Sequence, residues 1–208
     1  MSATHHLQMP LTEAQVRSLK LGDMVYLSGE LVITAGLPTH QRMLEYVDAG
    51  KPLPIDLSGM VLLQFGGYSH ESGNELEVDY MNPTTSTRFN PLMPRIIRSQ
   101  RLRAVGGKGG LDGESTRAMQ ETGCVYLSFP GGLCTLYTNA IREVSAVEWR
   151  DLILHYRLVK LRVENLGPGT VGIDAHGNSL YEGLQADASR RLPDIMAGLN
   201  AARAGKQA

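Results

Sequence analysis

Apolar positions along the chain fall into short runs whose period changes at each glycine or proline cluster. Residues 24–28 (MVYLS) and 31–35 (LVITA) read as strands, and the two-residue link Gly29-Glu30 predicts a hairpin between them. Residues 60–65 (MVLLQF) form a continuous apolar run of strand length, as expected of an interior strand. Alternation predicts strands at 75–80, with Leu76, Val78 and Tyr80 on one face, and at 156–163, with Val159, Leu161 and Val163 together. Residues 125–129 and 145–149 are also expected to be strands, and 170–174 and 179–181 to pair across Ala175-His176-Gly177-Asn178. Residues 66–73 carry turn residues. Thr12 followed by Gln15 is a capping-box pattern that opens a helix over 13–19. Thr39 is expected to cap a helix reaching Ala49, with Met43, Leu44 and Val47 on one face and Gly50 as the stop. Further helices are predicted at 91–99, where Pro94 falls in the first turn, at 113–122, at 133–140 and in the tail from Ala186. Strands and helices alternate irregularly, without repeats. The expectation is one α/β domain over 1–208, with a mixed sheet or barrel-like core and a fraying helical tail over 186–208.

The stretch 103–134 organises the rest. An apolar strand ends in Gly106-Gly107-Lys108-Gly109-Gly110, and a second strand ends at the glycine pair Gly131-Gly132. Glycines around one lysine let backbone approach a ligand closely, and the start of a helix at 113 would add free amides and a positive dipole end. That combination suits an anion. A solvated lysine in a tight turn is the plainer alternative.

Composition narrows the function classes. Lys+Arg 20 against Asp+Glu 21 gives a formal charge of -1, which argues against a nucleic-acid or anionic-membrane partner. No apolar run reaches the ~18 residues of a membrane span, and the N-terminus lacks a secretory pattern. Two cysteines, Cys124 and Cys134, make no disulfide framework and match no zinc spacing, so a cytoplasmic location with free thiols is expected. Gly167-Pro168-Gly169-Thr170-Val171-Gly172 matches a nucleotide fingerprint by letter only, because a helix is not expected after it. GGKGGL lacks the Ser or Thr of a phosphate-binding loop. No histidine has a second ligand type at metal spacing; His40 differs in starting a helix. In Asn82-Pro83-Thr84-Thr85-Ser86-Thr87-Arg88 the arginine follows Thr84 by four residues, close enough in a compact turn to stabilise an alkoxide or clamp a carboxylate.

In order, GDMVYLSGELVITAGLPTHQRM, NPTTSTRF, VGGKGG, GCVYLSFPGG and the AVEW strand resemble the C-terminal domain of iron–sulfur class I fumarases. In two-chain enzymes that domain is the β subunit of fumarase or L(+)-tartrate dehydratase, and the likeness spans roughly residues 10 to 183. The resemblance implies a swivelling β/β/α domain and a hydro-lyase that reversibly dehydrates a 2-hydroxy dicarboxylate. It also implies an α subunit whose cysteines carry a [4Fe–4S] cluster, association as α2β2 or as a homodimer, and an active site between the chains. By position, Thr84 is implied as the catalytic base, Arg88 as the substrate-binding and alkoxide-stabilising arginine, and Lys108 as the lysine that binds carboxylate. Gly107 and Gly109 flank that lysine, and His40 is retained in place. The family's Ala-Arg-Asp-Ala-Ala-His is here Ala35-Gly36-Leu37-Pro38-Thr39-His40. Glycine in place of that arginine is expected to clear a guanidinium-sized volume and to disfavour malate or fumarate, unless a cation from Arg42, Arg95 or the partner chain compensates. Two rival readings are a non-catalytic anion-binding module of the same fold and a self-sufficient enzyme using Lys108 as base or Schiff-base amine.

Overall fold

A ring of five paired strands holds the middle of the molecule together. The computed structural model describes residues 2–73 and 75–204. The first half of the chain runs β1 (Thr4–Gln8), α1 (Glu13–Ser18), β2 (Met24–Ile33), α2 (Leu37–Asp48), β3 (Val61–Leu63), β4 (Phe65–Ser72) and β5 (Glu75–Pro83). A 3₁₀ turn at Ser86–Phe89 leads into α3 (Met93–Gln100), β6 (Ala104–Gly107), α4 (Gly113–Thr122), β7 (Val125–Ser128) and α5 (Cys134–Asn139). The chain closes with β8 (Ile141–Glu148), a 3₁₀ turn at Leu154–Tyr156, β9 (Leu158–Ile173) and α6 (Leu180–Ala204).

Parallel pairings join β2 to β3, β3 to β6 and β6 to β7, and antiparallel ones join β7 to β9 and β9 back to β2. The five strands therefore close into a mixed barrel, with β1 added to β2 and β8 to β9. Alternation divides the packing. Val61, Leu63, Ala104, Val125 and Leu127 join one buried cluster with residues of β2 and β9. The intervening Leu62, Val105 and Tyr126 face a second cluster made with α2, α3 and α4. Strands buried on both faces explain the unbroken apolar run at 60–65.

Several boundaries differ from the sequence expectation. Residues 24–35 form no hairpin. β2 runs through Gly29 as a bulge at φ +110°, because β9 pairs with it from Met24 to Ile33. A Cβ at Gly29 would stand 3.0 Å from the Met9 carbonyl oxygen, so close passage, not a turn, requires this glycine. Residues 66–72 lie in the strand β4, paired with β5 in a separate two-stranded ribbon, and of the expected turn segment only Gly73 is a turn. The expected strands at 156–163 and 170–174 are one strand, β9, and the fingerprint-like glycines lie inside it. Across the expected turn Ser179 pairs antiparallel with Ile173 as a single bridge, but Leu180 and Tyr181 already lie in α6, which begins six residues before the expected tail helix at Ala186. α2 begins at Leu37 with Gly36 at its cap, and Thr39 lies inside the helix.

The parallel strands β3, β6 and β7 end side by side, so the segments following Leu63, Gly107 and Ser128 emerge at one end of the barrel. The chain leaving β5 joins them: Thr84 N–H donates to the Gln64 carbonyl at 2.8 Å.

Candidate active site

Thr84 to Arg88 is laid against the end of β6 by backbone hydrogen bonds. Lys108 N–H donates to the Thr84 carbonyl at 3.0 Å, and Ser86 N–H to the Lys108 carbonyl at 2.8 Å. This seam is possible because residue 107 has no side chain: a Cβ there would stand 2.3 Å from Ser86 Oγ and 3.0 Å from the Thr84 carbonyl oxygen. Tyr126 secures both strands of the seam from below. Its phenol oxygen is 2.8 Å from Ser86 Oγ and accepts from Gly110 N–H at 3.3 Å. Burial pushes that phenol's pKa up, so it stays protonated and polar without charge.

The 3₁₀ turn curls Arg88 back over Thr84, and the guanidinium Nη2 donates to Thr84 Oγ1. The guanidinium also lies over the Phe89 ring, 5.5 Å from its centroid. Phe89 is fully buried and stacks on His40 at 4.1 Å between centroids. His40 does not reach the cleft. Its Nδ1 donates to the Gly36 carbonyl at 2.6 Å, its Nε2 is 3.5 Å from Gln64 Nε2, and the residue is completely buried. Desolvation lowers its pKa to about 4, with a smaller contribution in the same direction from the Arg88 charge. A neutral imidazole supporting Phe89, and Arg88 through it, is what this arrangement provides.

Thr84 and Arg88 open onto a cleft of about 410 Å³, whose other polar lining is Tyr80, Asn82, His155 and Tyr156. Lys108 shares the backbone seam but not this cleft. Its side chain crosses the second glycine turn, where Nζ lies 3.8 Å from the place a Cβ on Gly131 would occupy. It is half-buried and has no carboxylate partner among the described residues. A base or Schiff-base amine needs a desolvated lysine, and this side chain is only half-buried. A second recess of about 350 Å³ includes Glu30 and Lys160, but these pair at 2.6 Å and leave no free cation for an anion there.

Two expectations change at this point. The start of α4 is not an open anion site: Asp112 caps it by accepting from Ser115 N–H at 2.9 Å, and Glu182 Oε1 lies 2.9 Å from the Cβ position of Gly113. Two carboxylates already complement the helix dipole there. Nor does Gly36 leave a guanidinium-sized space. A Cβ at 36 would stand 2.3 Å from Thr39 Oγ1 and 2.8 Å from Tyr156 Cβ, because the Leu154–Tyr156 turn packs against it. The two arginines named as compensating cations are engaged elsewhere, Arg42 with Asp151 at 2.7 Å and Arg95 with Asp48.

The Fumarase C-terminus family matches residues 2–184. The chain belongs to that family. It is 30% identical over 190 residues to the L(+)-tartrate dehydratase subunit beta of Escherichia coli, covering 91% of this chain and 92% of that one. A protein of Methanocaldococcus jannaschii, named provisionally as an L(+)-tartrate dehydratase subunit beta, is 32% identical over 89% of this chain and 95% of its own length. A protein of Geobacillus stearothermophilus, named provisionally as a class I fumarate hydratase, is 35% identical over 89% of this chain, which spans only 35% of that longer relative. The family match stops inside α6, so most of that helix lies beyond the matched region. No helix among the described residues is long and apolar enough to cross a membrane.

Sequence reasoning singled out Thr84, Arg88 and Lys108 but missed Asn82, Tyr126 and Tyr156. Tyr126 carries no local signal beyond an apolar strand, and alternation along 156–163 places Tyr156 at the start of a strand, although it ends a 3₁₀ turn.

Proposed function

We propose that the chain is the β subunit of a two-chain hydro-lyase that reversibly dehydrates a 2-hydroxy (di)carboxylic acid, such as tartrate, malate or a related acid. The observation that carries this reading is the hydrogen bond from Arg88 to the Thr84 hydroxyl at the mouth of one cleft. A threonine hydroxyl is a poor base unless a cation stabilises its alkoxide, and the guanidinium is placed to do so. In this reading Thr84 Oγ1 takes the proton from the carbon beside a carboxylate. The carbon–hydrogen electron pair forms the double bond, hydroxide leaves the neighbouring carbon, and the proton taken up by Thr84 Oγ1 passes to it, so that water departs and the Thr84 alkoxide is restored. Arg88 steadies charge on oxygen, while Lys108, with the backbone of Gly107 and Gly109, lies across the seam outside this cleft and is assigned a substrate carboxylate by the family likeness, which requires the acid to reach past the seam.

The donors for a [4Fe–4S] cluster are not in this chain. Such a cluster needs three or four thiolates, whereas the sequence has two cysteines and burial drives the Cys124 thiol pKa upward. Among the described residues no group of three His, Cys, Asp or Glu could hold a metal. The cluster implied by the family likeness is therefore assigned to an α subunit, with the reacting site between the chains.

The test is reconstitution. This chain, treated anaerobically with iron and sulfide, is expected to stay colourless and inactive toward tartrate, malate and fumarate, and to gain dehydratase activity when its α subunit is added. A stable brown, active protein formed by this chain alone would overturn the two-chain assignment.

A further inference from the structure

We infer that Tyr126 is a positioning residue of the reaction. Its buried phenol ties the turn that carries Thr84 and Arg88 to the turn that carries Lys108, and so sets the spacing at which the two meet one acid. The inference rests on the function proposed above. In that reading the acid reaches across the seam, giving its proton to Thr84 on one side and a carboxylate to Lys108 on the other. A change in the spacing of the two turns therefore acts on the chemical step.

The bridge falls at the same offset in both turns. Ser86 lies two residues after Thr84, and Gly110 two residues after Lys108. The phenol oxygen of Tyr126 accepts from Gly110 N–H at 3.3 Å and is 2.8 Å from Ser86 Oγ. Ser86, Gly110 and the tyrosine itself are buried, so the phenol touches no substrate and acts through what it holds. Backbone hydrogen bonds fix the seam at Thr84, Ser86 and Lys108. Beyond Lys108 the chain turns through Gly109 and Gly110 at φ +84° and +81°, and there the phenol meets it.

Tyr126 is itself set in the barrel wall. Its backbone lies in β7, paired with Val105 of β6 on one side and Ile173 of β9 on the other. Its ring meets the ring of Tyr181 edge-on, 5.8 Å between centroids. Tyr181, in the first turn of α6, fills the space that a Cβ on Gly110 would need, 2.5 Å away. On the other side Ser86 Oγ occupies the space left free by Gly107. Removing the phenol oxygen leaves a buried N–H and a buried hydroxyl without that partner, and each regains one only if its turn shifts. Such a shift moves Thr84 relative to Lys108 while leaving both side chains able to bind.

The experiment uses the assembled two-chain enzyme on a panel of tartrate, malate and fumarate. Tyr126→Phe and Ser86→Ala remove the same bridge from opposite ends. Each is expected to lower kcat about tenfold or more with KM within about threefold, since a misplacement of about 1 Å costs on the order of 10²-fold. The double variant is expected within about twofold of the slower single one, because both changes delete one interaction. In a Thr84→Ala background Tyr126→Phe is expected to change turnover by less than about twofold, as no base remains to be misplaced. A general loosening of the fold would keep its full effect there. Ser86→Ala alone decides the matter if Tyr126→Phe does not assemble. Turnover numbers within about twofold of the unmutated enzyme, a change confined to KM, or a fall that persists in the Thr84→Ala background would overturn the inference. No turnover of the panel, or a Thr84→Ala enzyme without loss, would instead sink the reading beneath it.

Discussion

Protonating His40 tests how the site is supported. The imidazole is fully buried, donates from Nδ1 to the Gly36 carbonyl at 2.6 Å and stacks on Phe89. Desolvation lowers its pKa from 6.5 to about 4 in the folded protein, whereas the unfolded chain keeps the ordinary value. Below 6.5 the unfolded state therefore binds more protons, and acid favours unfolding. The contribution is fully present above that value and is lost progressively as pH falls to about 4. At about 1.4 kcal/mol per pH unit the loss amounts to about 3 kcal/mol. Urea unfolding across this window, at constant ionic strength, measures it. Carboxylates such as Glu13, which a hydrogen bond from Arg17 holds below its ordinary pKa, also weaken in acid, so the comparison is with His40→Gln. The variant is expected to be less stable near neutrality but to show a distinctly flatter pH dependence. Parallel curves for the two proteins, or an NMR titration placing His40 near 6.5, would refute the reasoning.

Gly107→Ala places a methyl 2.3 Å from Ser86 Oγ and 3.0 Å from the Thr84 carbonyl oxygen, so the seam must part. Overpacking of this kind costs about 1–3 kcal/mol, and a shift of about 1 Å at Thr84 lowers turnover on the order of 10²-fold. Melting and single-turnover rates of the assembled enzyme check both, and a variant with unchanged values would contradict the seam. Gly36→Arg is expected to lower the melting temperature and not to improve malate turnover, because Thr39 and Tyr156 occupy the space a side chain would need. A stable variant with a gain for malate would show that the Tyr156 wall yields.

The periodic parts of this fold were legible in the chain. The capping box at Thr12 and Gln15 is present with both of its hydrogen bonds, and the 113–122 helix has the expected bounds. The interior strand at 60–65 is shorter than its apolar run because Gln64 turns out to pair with Gly106 and Thr84. What local pattern could not show was decided by partners distant in sequence. Gly29 reads as a turn until β9 pairs along both sides of it, and β1, a polar THHLQ segment, is a strand only because β2 offers it an edge. The same limit applies to the site. Thr84 and Arg88 meet because they are four residues apart in one turn, which sequence spacing anticipates. Tyr156 reaches the same cleft across a long separation, and its contact with Gly36 reverses the inference that glycine leaves open space.

The central claim is that Thr84 moves the proton in this enzyme. Its most direct test is the turnover number of the assembled two-chain protein carrying Thr84→Ala and Thr84→Ser, measured on the best acid of the panel. Loss of a positioned proton-transfer group lowers turnover by roughly 10²–10⁴-fold, so Thr84→Ala is expected in that range and Thr84→Ser, which keeps the hydroxyl beside Arg88, well above it. A Thr84→Ala enzyme that is folded, assembled and within twofold of the unmutated turnover would contradict the account.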